Sequence, residues 1–163
     1  MTMGVSSVGR LIAANFTRRT RQVAALGTGL RLLATEIDYA ATPLPLALER
    51  VARSLEPPVA DIFRCTAAGL GKKGDILAAE AWSQALARVY PQTSLHDREL
   101  SILGDLGPAL GVSGRQDQLR HLNLAIERVR MEEDTARGEE ARGMRLWSYL
   151  GYLGGILLAI LFL

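Results

Sequence analysis

The side chains in this sequence that could carry chemistry are few and poorly spaced for it. Cys65 is the one cysteine of 163 residues, which rules out an internal disulfide and any Cys-rich metal site. Within Asp61-Ile-Phe-Arg-Cys-Thr it reads as a small core hydrophobe. His96 and His121 have no metal-ligand spacing with each other or with Cys65. They read as a residue at a helix start and one on a polar helix face. Gly69-Leu-Gly-Lys-Lys-Gly74 matches G-x-G-x-x-G letter for letter. A dinucleotide fingerprint must follow a strand, however, and this run follows a helical pattern without the Gly-Lys-Ser/Thr ending of a phosphate loop. A lysine-bearing helix–helix turn is the reading. With no Gly-x-Ser-x-Gly elbow either, no nucleophile, base or metal cage emerges. The sequence predicts no catalytic residue, no metal, no cofactor and no enzyme.

The charged residues suggest contacts instead. Glu36 and Asp38 fall on different faces of one helical pattern, so they are not a paired acid–base site. They stand beside the turn Ile37 to Pro45, which Pro43 and Pro45 stiffen. Polar groups held rigidly near a turn can be read by a partner at little entropic cost. The pair is therefore a candidate surface for a basic partner. Glu132 to Asp134 reads as a solvated acidic face. Thr17-Arg-Arg-Thr-Arg-Gln22 is basic without acids or interleaved aromatics, so nucleic acid is not an expected partner. Such a cluster is usual on the cytoplasmic side of a membrane helix.

The elements that must hold these residues are helical. Hydrophobic content is 48%, charged content 22% and aromatic content 6%, with a formal net charge of +2. That balance suits a packed domain rich in helix formers, and it is too mild for a nucleic-acid binder. Val23, Leu26, Leu30, Leu33, Ile37 and Ala40 make one apolar stripe. Thr42 with Pro43 predicts the start of a second helix carrying Leu44, Leu48, Val51 and Leu55, stopped by Pro57-Pro58. Val59, Ile62, Phe63, Ala67 and Leu70 form a third, closed by Gly69 and Gly71. Asp75 offers a cap for a fourth with Ala78, Trp82, Ala85, Leu86 and Val89, ended by Pro91. Ser94 with Asp97 and Ser113 with Gln116 resemble capping boxes. They would open a fifth helix with Leu100, Leu103, Leu106 and Leu110, ended by Gly111, and a sixth with Leu119, Leu122, Ile126 and Val129.

No strong stop separates the sixth helix from the end of the chain. Residues 130–146 lose the stripe and read as a polar, solvated stalk with a Glu133–Arg137 pair and a bend or hinge expected at Gly138 or Gly143. Trp147 to Leu163 carries no charge and covers roughly 25 Å as a helix, just enough to span a bilayer. Trp147, Tyr149 and Tyr152, with Arg145 beside them, are the interface anchors, and Gly151 and Gly155 give a Gly-x-x-x-Gly helix contact. The arginines at 137, 142 and 145 place the domain in the cytoplasm and Leu163 across the membrane. Residues 1–16 are apolar but interrupted by Arg10 and too short to span, so they read as a truncated or interfacial membrane segment. The fold class is all-α. Residues 17–129 form an antiparallel bundle of about six helices, and the last continues as a stalk into a C-terminal transmembrane helix at 147–163.

Leu33-Ala-Thr-Glu-Ile-Asp-Tyr-Ala-Ala-Thr-Pro-Leu-Pro-Leu-Ala-Leu48, Ala79-Glu80-Ala-Trp82 and Leu110-Gly111-Val-Ser113 together resemble the stage III sporulation protein AB family. The resemblance implies a non-catalytic component of the secretion-like channel complex that joins mother cell and forespore, similar to the F-type platform protein of type II secretion. It implies the mother-cell membrane facing the forespore as location. Its implied partners are a secretion-type ATPase, other membrane subunits, ring-forming proteins and membrane lipid. It also implies a full first transmembrane helix where this chain has only Met1 to Phe16, a difference that a late start or a true loss would explain. The alternative reading is a tail-anchored helical adaptor that binds a single soluble partner.

Overall fold

The computed structural model describes residues 3–71, 76–111 and 114–162, except for the side chains of residues 3–9 and 13. Among them the chain forms six α-helices and no strand. They are α1 (Met3–Asp38), α2 (Leu44–Arg53), α3 (Val59–Gly71), α4 (Ala78–Val89), α5 (Asp97–Leu106) and α6 (Arg115–Leu161), with single 3-10 turns at Tyr90–Gln92 and Gly107–Ala109. The all-α bundle with a long apolar C-terminal helix is therefore what forms. Its frame is the antiparallel pair of α1 and α6, the most extensive helix contact in the molecule. Helices α2, α3 and α4 pack in succession, and α5 lies on α6.

The periodic stripes make the core because helical spacing of three and four puts their side chains on one face. Val23, Leu26, Leu30, Leu33 and Ile37 of α1 are buried, as are Leu122, Ala125 and Val129 of α6. Ala40 lies past the end of α1 and is exposed. Phe63 of α3 meets Trp82 of α4 edge to face, with ring centroids 5.8 Å apart. The Trp82 indole N–H donates to the Leu103 carbonyl at 2.7 Å and so ties α4 to α5. A buried indole needs such a partner, and the ring itself contributes a large apolar area.

Helix starts differ from the sequence expectation, each for a local reason. Helix α2 begins one residue later, with Pro43 in the N-cap position and Pro45 in the first turn. Thr42 does not cap it, because its hydroxyl donates to the Glu36 carboxylate at 2.9 Å. Helix α5 is opened by His96 and Glu99 rather than by Ser94 and Asp97, with the Glu99 carboxylate accepting the His96 backbone N–H at 2.5 Å. Asp75 and Ser113 lie outside the described residues; α4 has Leu77 at its N-cap and α6 has Gly114. Gly111 sits after the 3-10 turn at φ 78°, with the Ala78 Cβ 2.7 Å from where its own Cβ would stand, so this corner needs a glycine on both counts.

The two ends of the chain also differ. There is no break at Phe16: the apolar first residues continue α1 without interruption. Helix α6 likewise runs unbroken through Gly138 and Gly143. Residues 130–146 are not a lone solvated strut, because α1 runs alongside them. Ala136 is 2% exposed, and the Phe16 ring lies 3.5 Å from where a Cβ on Gly143 would stand.

Gly29 and Gly138 give a paired test of this packing. A Cβ on Gly29 would come within 2.8 Å of both Leu55 and Phe63, whereas one on Gly138 meets nothing within 4 Å. Gly29→Ala should destabilise by about 1–3 kcal/mol through overpacking. Gly138→Ala should stabilise by up to about 1 kcal/mol through helix propensity. Urea unfolding of both variants checks the sign of each.

Candidate functional site: an arginine clasp below an exposed apolar helix end

A network of polar side chains sits where α1, α5 and α6 meet. Arg19 of α1 is 4% exposed, and Glu99 of α5 is fully buried. The Arg19 Nη2 donates to Glu99 Oε1 at 2.8 Å, and its Nη1 donates to Glu139 Oε2 of α6 at 2.7 Å. The second Glu99 oxygen takes the His96 N–H, so both carboxylate oxygens are satisfied. A planar guanidinium suits this task, since its fork presents several donors in fixed directions. Around the clasp, the Ser94 N–H donates to Gln22 Oε1 at 2.6 Å, and the Thr17 hydroxyl donates to Glu140 at 3.0 Å. One stretch of α1 thereby fixes the loop before α5, the start of α5 and the middle of α6.

This geometry revises two sequence expectations. The basic run at residues 17–22 does not act as one exposed cluster: Arg18 and Arg21 are exposed, but Arg19 points into the fold. Nor is the acidic run of α6 a simple solvated face. Glu132 and Glu133 keep only 17% and 14% of their side chains exposed. Glu133 accepts from Arg137 at 2.5 Å, the pair expected from the spacing, while Asp134 is exposed.

Glu36 and Asp38 both have partners within the chain. Glu36 accepts from Thr42 and from Arg50 of α2, each at 2.9 Å. The Thr42 hydrogen bond, with Arg50 second, holds the Glu36 carboxyl below the ordinary glutamate range. Asp38 faces Arg115 at 3.0 Å, and that guanidinium also donates to the Asp38 carbonyl. The two carboxylates thus fasten the end of α1 to α2 and to the start of α6.

At the other end of α6 the surroundings empty out. Trp147, Tyr149 and Tyr152 are exposed, along with the leucines and isoleucines through Leu161. A Cβ on Gly151 or Gly155 would meet nothing within 4 Å. Arg145 is exposed just before them. Of the described helices, α6 alone is long and apolar enough to cross a membrane, and none of that stretch is buried. An apolar surface of this extent calls for a cover of lipid or protein.

Among the described residues no group of three or more His, Cys, Asp and Glu is placed to hold a metal ion. His96 and His121 are exposed, and Cys65 is half-buried on α3. Gly69 to Gly71 end α3, so the glycine-rich motif does follow a helix; its remaining residues lie outside the described ones.

Comparison with known proteins gives one consistent result. A family model for stage III sporulation protein AB matches residues 1–163. A stage III sporulation protein AB from Bacillus subtilis (strain 168) is 34% identical over 146 residues, covering 90% of this chain and 85% of that protein. A solved structure of a stage III sporulation protein AB is similar with a TM-score of 0.71 and 33% identity, covering 77% of this chain and 98% of its own.

Two outcomes follow from the clasp and the turn. Arg19→Leu strands the buried Glu99 charge and should destabilise by about 3–5 kcal/mol, whereas Glu139→Gln, at a half-exposed group, should cost about 1 kcal/mol or less. Thermal melts of the full chain in detergent compare the two. Because the Glu36 carboxyl is lowered on folding, its contribution is present above the ordinary glutamate pKa and is lost as pH falls through the folded value. The stability gap between wild type and Glu36→Gln should therefore close below about pH 4; melts across a pH series measure it.

Proposed function

The chain belongs to the stage III sporulation protein AB family, and from that premise we propose that it is a membrane-anchored, non-catalytic assembly subunit. The assembly is the secretion-like channel between mother cell and forespore. The observation that carries this reading is the double character of α6. One half, with Leu122, Ala125 and Val129, is buried in the bundle; the other, from Trp147, is apolar and wholly uncovered. A single helix with both properties suits the task of joining a folded domain to a membrane.

On this proposal the helical domain lies in the cytoplasm of the mother cell, on the arginine side of the apolar span. The apolar span from Trp147 then crosses the mother-cell membrane. The partners are other channel subunits, including a secretion-type ATPase. Gly151 and Gly155 offer an open face on which another membrane helix could approach closely. A contact at Glu36 and Asp38 is also proposed, and there a basic partner must compete with Arg50 and Arg115.

The experiment is complementation of a strain lacking this gene, in its endospore-forming host, with chains truncated after Arg145. The full chain should fractionate with membranes, restore spores and co-purify with other channel subunits. The truncated chain should stay helical, leave the membrane fraction and fail to restore spores. Full sporulation by a truncated chain that remains in the soluble fraction contradicts the anchored-subunit reading.

A further inference from the structure

Five arginines at the junction of bundle and apolar span are not used by the fold. Arg10, Arg18 and Arg21 on α1 and Arg142 and Arg145 on α6 are exposed. Among the described residues, none of the five makes an ion pair. At about 100° per residue, Arg10, Arg18 and Arg21 share an arc of roughly 80° on α1. Their surroundings are poor in competing acid. Glu139 and Glu140 are engaged by Arg19 and Thr17 on the side facing α1. Glu56, beside Arg18 and Arg21 across a surface groove, lies beyond ion-pair distance of both.

The pairing of α1 with α6 sets the height of these charges. Phe16 sits against Gly143, and Arg19 reaches Glu139. Six residues earlier on α1, about 9 Å further along, Arg10 comes level with the segment from Trp147 to Tyr149. Arg145 and Arg142 lie about 3 Å and 8 Å below Trp147 along α6, with Arg18 and Arg21 next below. Arg10, Arg142 and Arg145 therefore stand where the apolar span begins, with Arg18 and Arg21 about 10 Å and 15 Å below Trp147 on one face of α1. Beside them, Met144, Arg145, Ser148, Tyr149 and Tyr152 line a shallow hollow of about 320 Å³ on α6. It combines a guanidinium and two phenol hydroxyls with apolar ring and thioether surface. That is the chemistry of a site for a phosphate above an acyl chain.

We propose that this arginine collar binds the headgroups of anionic phospholipids in the membrane that holds α6, with the hollow at Arg145 and Tyr149 as its innermost subsite. The proposal rests on the anchored reading of α6. Basic residues beside a membrane span gain from an anionic leaflet as long as they remain within a short screening distance of the surface. The collar selects the lipid around the anchor and sets the depth at which the bundle stands.

Lipid-borne quenching of tryptophan tests it. The chain has two tryptophans: Trp82 is fully buried in the bundle, while Trp147 is exposed at the boundary, so a brominated acyl chain reports on Trp147. The full chain is reconstituted in phosphatidylcholine vesicles containing an equal minor fraction of either dibrominated phosphatidylglycerol or dibrominated phosphatidylcholine. The anionic lipid should quench about twofold more or better at low salt, and the preference should vanish at high salt. It should also vanish when all five arginines are changed to Gln, a variant whose helicity is checked by circular dichroism. Equal quenching by both lipids in wild type, or a preference that survives in the five-fold variant, overturns the collar and leaves the anchor standing. Absence of quenching by either lipid overturns the anchor and the collar with it.

Discussion

Arg19 lies between Glu99, which is completely buried, and Glu139, which is not, and the register of three helices depends on that one guanidinium. Removing charges from water is costly, and the attraction between them offsets that cost only when geometry and remaining hydrogen bonds are good. They are good at Glu99, whose second oxygen closes the first turn of α5 through the His96 N–H, while on the cation side the Arg19 Nε is buried without a hydrogen-bond partner. The same carboxylate therefore caps a helix and neutralises a cation from another. An apolar replacement could match the clasp in stability. The clasp in addition matches particular groups of α1, α5 and α6 to one another, as Asp38 and Arg115 do at the other end of the α1–α6 pair.

That register decides what α6 can do. A lone polar helix carrying two glycines would bend between the bundle and its apolar end, and motion of one would be poorly felt by the other. With α1 laid against it, the stretch from Glu132 to Gly143 has a buried Ala136, a ring against Gly143 and ion pairs on its flank. On the proposed anchoring, the paired helices carry the domain to the membrane as a unit. For a subunit that presents surfaces to others in an assembly, such rigidity lowers the entropy lost on docking.

The stripes are legible in the sequence because helical periodicity is a local property. Val23 to Ile37, Leu48 and Val51, and Leu122 with Val129 are buried as their spacing implies. The exposed apolar end is legible for the same reason. The pairing of Arg19 with Glu99 is not: the stripe run back four residues from Val23 lands on Arg19 rather than on Arg18 or Arg21, but 80 positions separate it from Glu99 and nothing local names that partner. The fate of Thr42 is hidden in the same way, since a good N-cap residue is drawn off by Glu36 and Arg50. The stalk misleads because its polarity suggests water, whereas Glu139 and Glu140 face Arg19 and Thr17 of α1 and Glu132 lies against Arg98 of α5. A polar helix face is solvated only if no neighbour supplies complementary groups. One signal is local after all: Glu99 stands three residues after His96 at a helix start, a spacing that suits a capping carboxylate.

Helices α1 and α6 are one continuous paired support from the bundle to the start of the apolar span. Hydrogen exchange of backbone amides in the full chain, reconstituted in lipid nanodiscs, tests it most directly. Local opening free energies follow packing and shared hydrogen-bonded structure. Amides from Ala14 to Gln22 and from Arg130 to Arg142 should exchange as slowly as those of the core stretch from Leu26 to Leu33. Rapid exchange across residues 130–142, beside a protected bundle, would show a loose tether and contradict the account.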